Sequence, residues 1–186
     1  TGYSPPVAEA SDEGEKAIRR FQKPEDMEIS LFAAEPMLVN PVAFTIDYQG
    51  RVYVAETFRH HAGVSDMRGH RSWLVDDLAN RTVEERLVTM EKNLGDDFAG
   101  YSGEHDRIKQ ITDTDGDGKA DRSTIFADGF SNTLDGIGSS VLMDRGKLFY
   151  TCIPDLWSLE DKDDDGHVDA RESLSHGYGV HINFLG

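Results

Sequence analysis

Cysteine is almost missing from this chain: among 186 residues there is one, Cys152. That excludes an internal disulfide framework, a CxxC metal or redox pair and a CxxCH haem attachment. Its place in the apolar run KLFYTCIPDLW reads as that of a small buried hydrophobe. Nine Phe, six Tyr and two Trp in a 38% apolar composition are enough for a core, so the lack of bridges does not argue against an oxidising compartment. No stretch approaches the ~18 apolar residues that a membrane-spanning helix needs. Basic residues are scarce as well: 19 Lys and Arg face 35 Asp and Glu, for a formal net charge of −16. Such a chain, with no basic stripe, repels phosphate backbones and anionic lipid, which excludes nucleic acid as a partner. The opening TGYSPPVAEAS has neither a Met nor a basic-then-apolar leader, and it is read as a terminus left by processing or by a chosen boundary.

Part of the acidic excess is concentrated in two places. DTDGDGKAD, residues 113–121, returns as DKDDDGHVD, residues 161–169, so that Asp113 is matched by Asp161 and the shift is 48. Carboxylates packed this closely repel one another unless a cation neutralises them. Ca²⁺ takes six to eight oxygens at about 2.3–2.6 Å, and a loop with Asp at positions 1, 3 and 5 and Gly at 6 curls such oxygens inward. The first loop offers Asp113, Asp115, Asp117, the Lys119 carbonyl and Asp121. The second offers Asp161, Asp163, Asp165, the His167 carbonyl and Asp169, with Glu172 at position 12 to complete the shell. The first loop has Thr124 there, a poorer donor. Solvated acidic turns are the plain alternative.

Along the chain, residues 1–22 read as a loose arm and a short helix, capped at Ser11 or Asp12 and ended by Pro24. Residues 23–186 form the main body. MEISLFAAEP and PVAFTIDYQGRVYVAET alternate as strands do, with a turn at Gln49-Gly50. Residues 58–104 break that pattern and read as a helical insertion, with Thr82 and Glu85 as a capping box. Strands resume with RIKQITD, STIFADGF and a hairpin tipped by Arg145-Gly146. Because strands rather than helices flank the acidic loops, an EF-hand pair is excluded. A repeat near 48 residues with about four short strands each predicts the first blades of a β-propeller, incomplete in itself because propellers close with about four to eight blades.

The stretches DMEISLFAAEPMLVNPVAFTIDYQGRVYVAET, DRIKQITDTDGDGKADRSTIFADGF and SHGYGVHINFLG resemble the N-terminal part of the membrane-bound dehydrogenase-type propellers of planctomycete and verrucomicrobial genomes. These are relatives of soluble glucose and sorbosone dehydrogenases that use pyrroloquinoline quinone (PQQ). The resemblance covers roughly residues 20–186. It implies an exported protein (periplasmic, cell-surface or secreted), PQQ as redox cofactor and a sugar or alcohol substrate. It implies haem c only where a downstream domain carries it. It also places the general-base His, and the Arg and Lys that hold the quinone, in polypeptide beyond Gly186, with the remaining blades as structural partners.

Within the chain the catalytic candidates are few. His181 beside Gly177 and Gly179 is a polar group at a blade connection, and a strand cap is its plainer role. Glu56 and Arg59 follow the first hairpin, where propeller loops line pockets, though a salt bridge explains them as well. His60, His61, His70 and His105 lack ligand spacing for a transition metal. Two functions follow: a quinone-dependent oxidoreductase, or a non-catalytic calcium-stabilised propeller that binds carbohydrate or protein through the insertion. A calcium buffer or sensor fits a rigid sheet less well.

Overall fold

The computed structural model describes residues 3–60, 62–66 and 68–182. It is mainly β: two four-stranded antiparallel meanders, each in sequence order, joined in tandem. Sheet A holds β1 (Pro41–Ile46), β2 (Val52–Glu56), β3 (Asp106–Thr112) and β4 (Arg122–Phe130). Sheet B holds β5 (Ser140–Asp144), β6 (Lys147–Cys152), β7 (Asp155–Glu160) and β8 (Ala170–His176).

The turns are written in local chemistry. At the β1–β2 turn the Asp47 carboxylate accepts from the Gln49 and Arg51 amides, both at 2.9 Å, and Gly50 takes φ +81. At the β5–β6 turn Arg145 and Gly146 both have positive φ, at +48 and +80, the signature of the tight turn whose twist suits a hairpin. Alternation decides the faces. Tyr53, Ala55 and Ile108 of sheet A point at Val141, Leu148, Tyr150 and Leu159 of sheet B, and together they make one buried core. Cys152 lies inside it, and burial raises its thiol pKa well above the ordinary value.

Between β2 and β3 run a 3₁₀ turn (Arg71–Trp73), helices α2 (Leu74–Ala79) and α3 (Val83–Leu94), and a 3₁₀ stretch (Gly95–Ser102). At the start of α3 the Thr82 hydroxyl accepts from the Glu85 amide at 3.2 Å, while the Glu85 carboxylate accepts from Arg81 N rather than from Thr82 N. A second cluster of Trp73, Met90 and Ile182 holds the insertion against the end of the described chain. Residues 57–105 separate β2 from β3, whereas only residues 153–154 separate β6 from β7. That insertion sets the two hairpins at twice the spacing of the acidic loops.

Two expectations need correction. MEISLFAAEP, residues 27–36, joins neither sheet; its alternation suits a strand, but it is tied to the first acidic loop, whose Ala120 amide donates to the Phe32 carbonyl at 2.8 Å. Helix α1 spans Glu13–Ile18 and stops well before Pro24; Asp12 gives no side-chain cap, while the Ser11 hydroxyl accepts from the Glu13 amide at 3.4 Å. Among the described residues no helix is long and apolar enough to cross a membrane.

Candidate metal centre

Each acidic loop joins the third strand of its meander to the fourth: β3 to β4, and β7 to β8. Inside them four side-chain-to-backbone hydrogen bonds recur in both loops. Asp113 accepts from the amides of Gly116 (2.7 Å) and Gly118 (2.8 Å). Asp161 accepts from those of Asp164 (2.8 Å) and Gly166 (2.9 Å). Asp117 and Asp165 each accept from the amide two residues on, at 2.8 Å. Asp121 and Asp169 reach back to the amides of Thr114 (3.1 Å) and Lys162 (2.7 Å). These carboxylates thus close their own turns.

The fourth and sixth positions need the left-handed backbone region, which Gly enters freely and Asp tolerates. Gly116 (φ +77) and Asp164 (φ +62) fill the fourth; Gly118 (φ +86) and Gly166 (φ +90) fill the sixth.

Curling gathers Asp113, Asp115 and Asp117 in the first loop, and Asp161, Asp163 and Asp169 in the second, with one carboxylate oxygen from each within 4.8 Å of the others in its triplet. Asp121 and Asp165 belong to the loops but lie outside these triplets. Glu172 sits on β8 opposite Ser158, exposed and also outside the second triplet. Thr124 turns away from its own loop and donates toward the Gly166 carbonyl of the other at 3.4 Å. The Lys119 and His167 side chains are exposed, and His167 Nδ1 lies 2.9 Å from the Ile125 carbonyl.

The donor set fits a hard cation: oxygens only, anionic, and crowded by like charge. Asp163 shows the crowding, since the neighbouring Asp165 carboxylate raises its pKa. Asp113 moves the other way, because backbone amide donors, Gly118 first, favour its charged form.

The second loop is also tied to sheet A. Val168 N donates to the Phe126 carbonyl at 2.9 Å, and the Arg51 guanidinium, held by Asp47 at 2.6 Å, reaches the Asp164 carboxylate. Between the β1–β2 turn and this loop lies a cavity of about 340 Å³.

The catalytic candidates lie at the opposite ends of the strands, where each is occupied in holding the fold. Glu56 is fully buried; it accepts from Val39 N at 2.6 Å and from Arg107 Nε at 2.5 Å. Arg59, also fully buried, donates to five carbonyls: Gly63, Tyr101, Glu104, Asn132 and Asp135, at 2.7–3.0 Å. Sequence reasoning missed this role, because backbone acceptors leave no pattern in side-chain identities. His181 Nδ1 lies 2.9 Å from the Asp77 carbonyl of α2, and Asp77 Oδ1 accepts from Ile182 N, so this corner fastens the chain to the insertion. His70 stacks on Trp73 and His105 on Tyr3; His61 lies outside the described residues. Among the described residues no histidine joins a candidate metal cluster.

Neither the curated proteins nor the solved structures contain a match to this chain. One family model does match, over residues 13–183, and the chain accordingly belongs to the family described as a domain of unknown function, DUF7133.

Proposed function

We propose that residues 23–186 are two successive blades of a β-propeller in which each acidic loop binds Ca²⁺. The observation that carries this reading is the pair of carboxylate triplets at equivalent third-to-fourth-strand turns. Stacking of two in-order meanders over a shared core supports the blade geometry. Resemblance supports the wider setting: an exported, PQQ-dependent dehydrogenase acting on a sugar or alcohol, with the base and the quinone ligands on other blades. Bound quinone accepts the hydride in such enzymes. The described residues of this chain do not fit that group: Glu56 and Arg59 are closed in, and His181 fastens the chain to α2. The chain therefore supplies scaffold and metal sites, and none of its residues is assigned to the redox step.

A second reading, a non-catalytic propeller that binds a partner through its insertion, is favoured by the exposed apolar residues Leu74, Val75, Leu78 and Val88 of α2 and α3. Dye-linked oxidation across a panel of sugars and alcohols, with PQQ and Ca²⁺ added to the native protein, separates the two. Turnover supports the enzyme; none across the panel supports the binding module.

A further inference from the structure

Residue equivalence between the two sheets reaches further than the loops. Phe44 pairs with Val54 and Ile46 with Val52 in sheet A, as Val141 pairs with Tyr150 and Met143 with Leu148 in sheet B. Val52 in turn faces Ile111, as Leu148 faces Leu159. The face of sheet A that carries Phe44, Ile46 and Val52 is therefore the counterpart of the face that sheet B buries against sheet A. On sheet B that face is core; on sheet A Phe44 is 67% and Ile46 56% exposed.

One segment beside that face already has a counterpart in the other sheet. Val168, in the second loop, donates to the carbonyl of Phe126 on β4, the fourth strand of the preceding sheet, at 2.9 Å. Its counterpart in the first loop, Ala120, donates to the carbonyl of Phe32 at 2.8 Å. Around these two acceptors the sequences agree: Ser30-Leu31-Phe32-Ala33 against Thr124-Ile125-Phe126-Ala127. The cavities agree too. The one between the sheets is lined by Phe126, Met143 and Gly146, with Asp47, Arg51 and Tyr53 as the opposite wall. Phe32, Ile46 and Gly50 line a cavity of about 510 Å³ over the exposed face, and among the described residues no hairpin forms its opposite wall.

We infer that residues 29–34 are the fourth strand of a third sheet, and that the exposed face of sheet A is the docking site for the three antiparallel strands that complete it. The occupant is polypeptide other than residues 1–186. Both sheets of a second copy already own a fourth strand, β4 or β8, and have no open third-strand edge to offer. Its third strand pairs by backbone hydrogen bonds with residues 29–34. Its second strand sets an aromatic ring against Phe32, as Tyr53 meets Phe126 edge-on at 5.1 Å. The inference deepens the stacked-blade reading and rests on it, though on neither the calcium nor the redox part.

The test is hydrogen–deuterium exchange of residues 1–186 alone and of the protein purified from its natural source with whatever polypeptide is joined or bound to it. Amides 30–34 are expected to exchange about 100-fold more slowly in the natural material. Phe44→Lys, placed in that natural protein, is expected to cancel the protection, whereas the unsubstituted natural protein treated with an amine-to-carboxylate cross-linker is expected to yield the covering strands joined to this face. Unprotected amides in the natural protein overturn the inference. So does a cross-linked peptide that falls within residues 1–186 of a second copy. Protection at 30–34 in a protein that binds no calcium and oxidises nothing would sink the proposed metal sites and chemistry while leaving this docking site standing.

Discussion

The amide of Val168, inside the second acidic loop, donates to the carbonyl of Phe126 on the neighbouring sheet at 2.9 Å. A cation bound by that loop would therefore stiffen the join between the sheets, not only a turn within one of them.

The two loops should consequently differ in what they contribute to stability. Asp161→Asn removes a carboxylate from the loop clamped to sheet A, whereas Asp113→Asn alters a loop whose Ala120 amide donates to the segment around Phe32. At Ca²⁺ about 100-fold above Kd, each working site adds about 2.7 kcal/mol. Both variants should lose calcium-dependent stabilisation in thermal melts. Asp161→Asn alone should also lower the calcium-free midpoint, because the Asp164 and Gly166 amides that shape the docked loop lose their carboxylate acceptor.

Backbone geometry ranks the loop glycines. A Cβ on Gly166 would stand 3.0 Å from Gln110 Oε1 and 3.2 Å from Thr124 Oγ1, whereas one on Gly116 meets nothing within 4 Å. Both have positive φ, so Gly116→Ala should cost about 1 kcal/mol. Gly166→Ala should cost roughly 1–2 kcal/mol more, as crowding adds to strain. Urea midpoints at saturating calcium check the order.

Arg59 holds the insertion closed through carbonyls alone. Arg59→Lys keeps the charge but lacks the planar fork that reaches Gly63, Tyr101, Glu104, Asn132 and Asp135. A loss on the order of 3 kcal/mol is expected, since buried acceptors are left unpaired. Limited proteolysis should then cut within residues 62–104 before it cuts either sheet.

Burial lifts the Asp135 carboxyl to about 6, against an ordinary 3.8. The folded state therefore holds this proton more tightly than the unfolded chain does. Its contribution is complete below pH ~4 and is lost as pH rises through about 6. Asp135→Asn should flatten that part of the stability–pH curve by roughly 1–3 kcal/mol, read from urea titrations between pH 4 and 7.

What the sequence made legible is local. Asp47 and Arg145-Gly146 announce their turns, Thr82 caps its helix, and spacing alone brings Asp113, Asp115 and Asp117 together. Non-local choices were hidden. Residues 27–36 alternate as a strand, yet they pair with neither sheet and are held instead by a loop amide, Ala120 N on the Phe32 carbonyl. Glu56 and Arg59 resemble pocket residues until their partners, an arginine from β3 and a ring of carbonyls, come into view.

Calorimetric titration of the metal-free chain with Ca²⁺ tests the central claim most directly. Two ions per chain are predicted, with Kd between about 10⁻⁵ and 10⁻³ M. Asp113→Asn combined with Asp115→Asn should leave one, and Mg²⁺ should compete poorly. No binding heat and no shift of the melting temperature at millimolar Ca²⁺ would contradict the account.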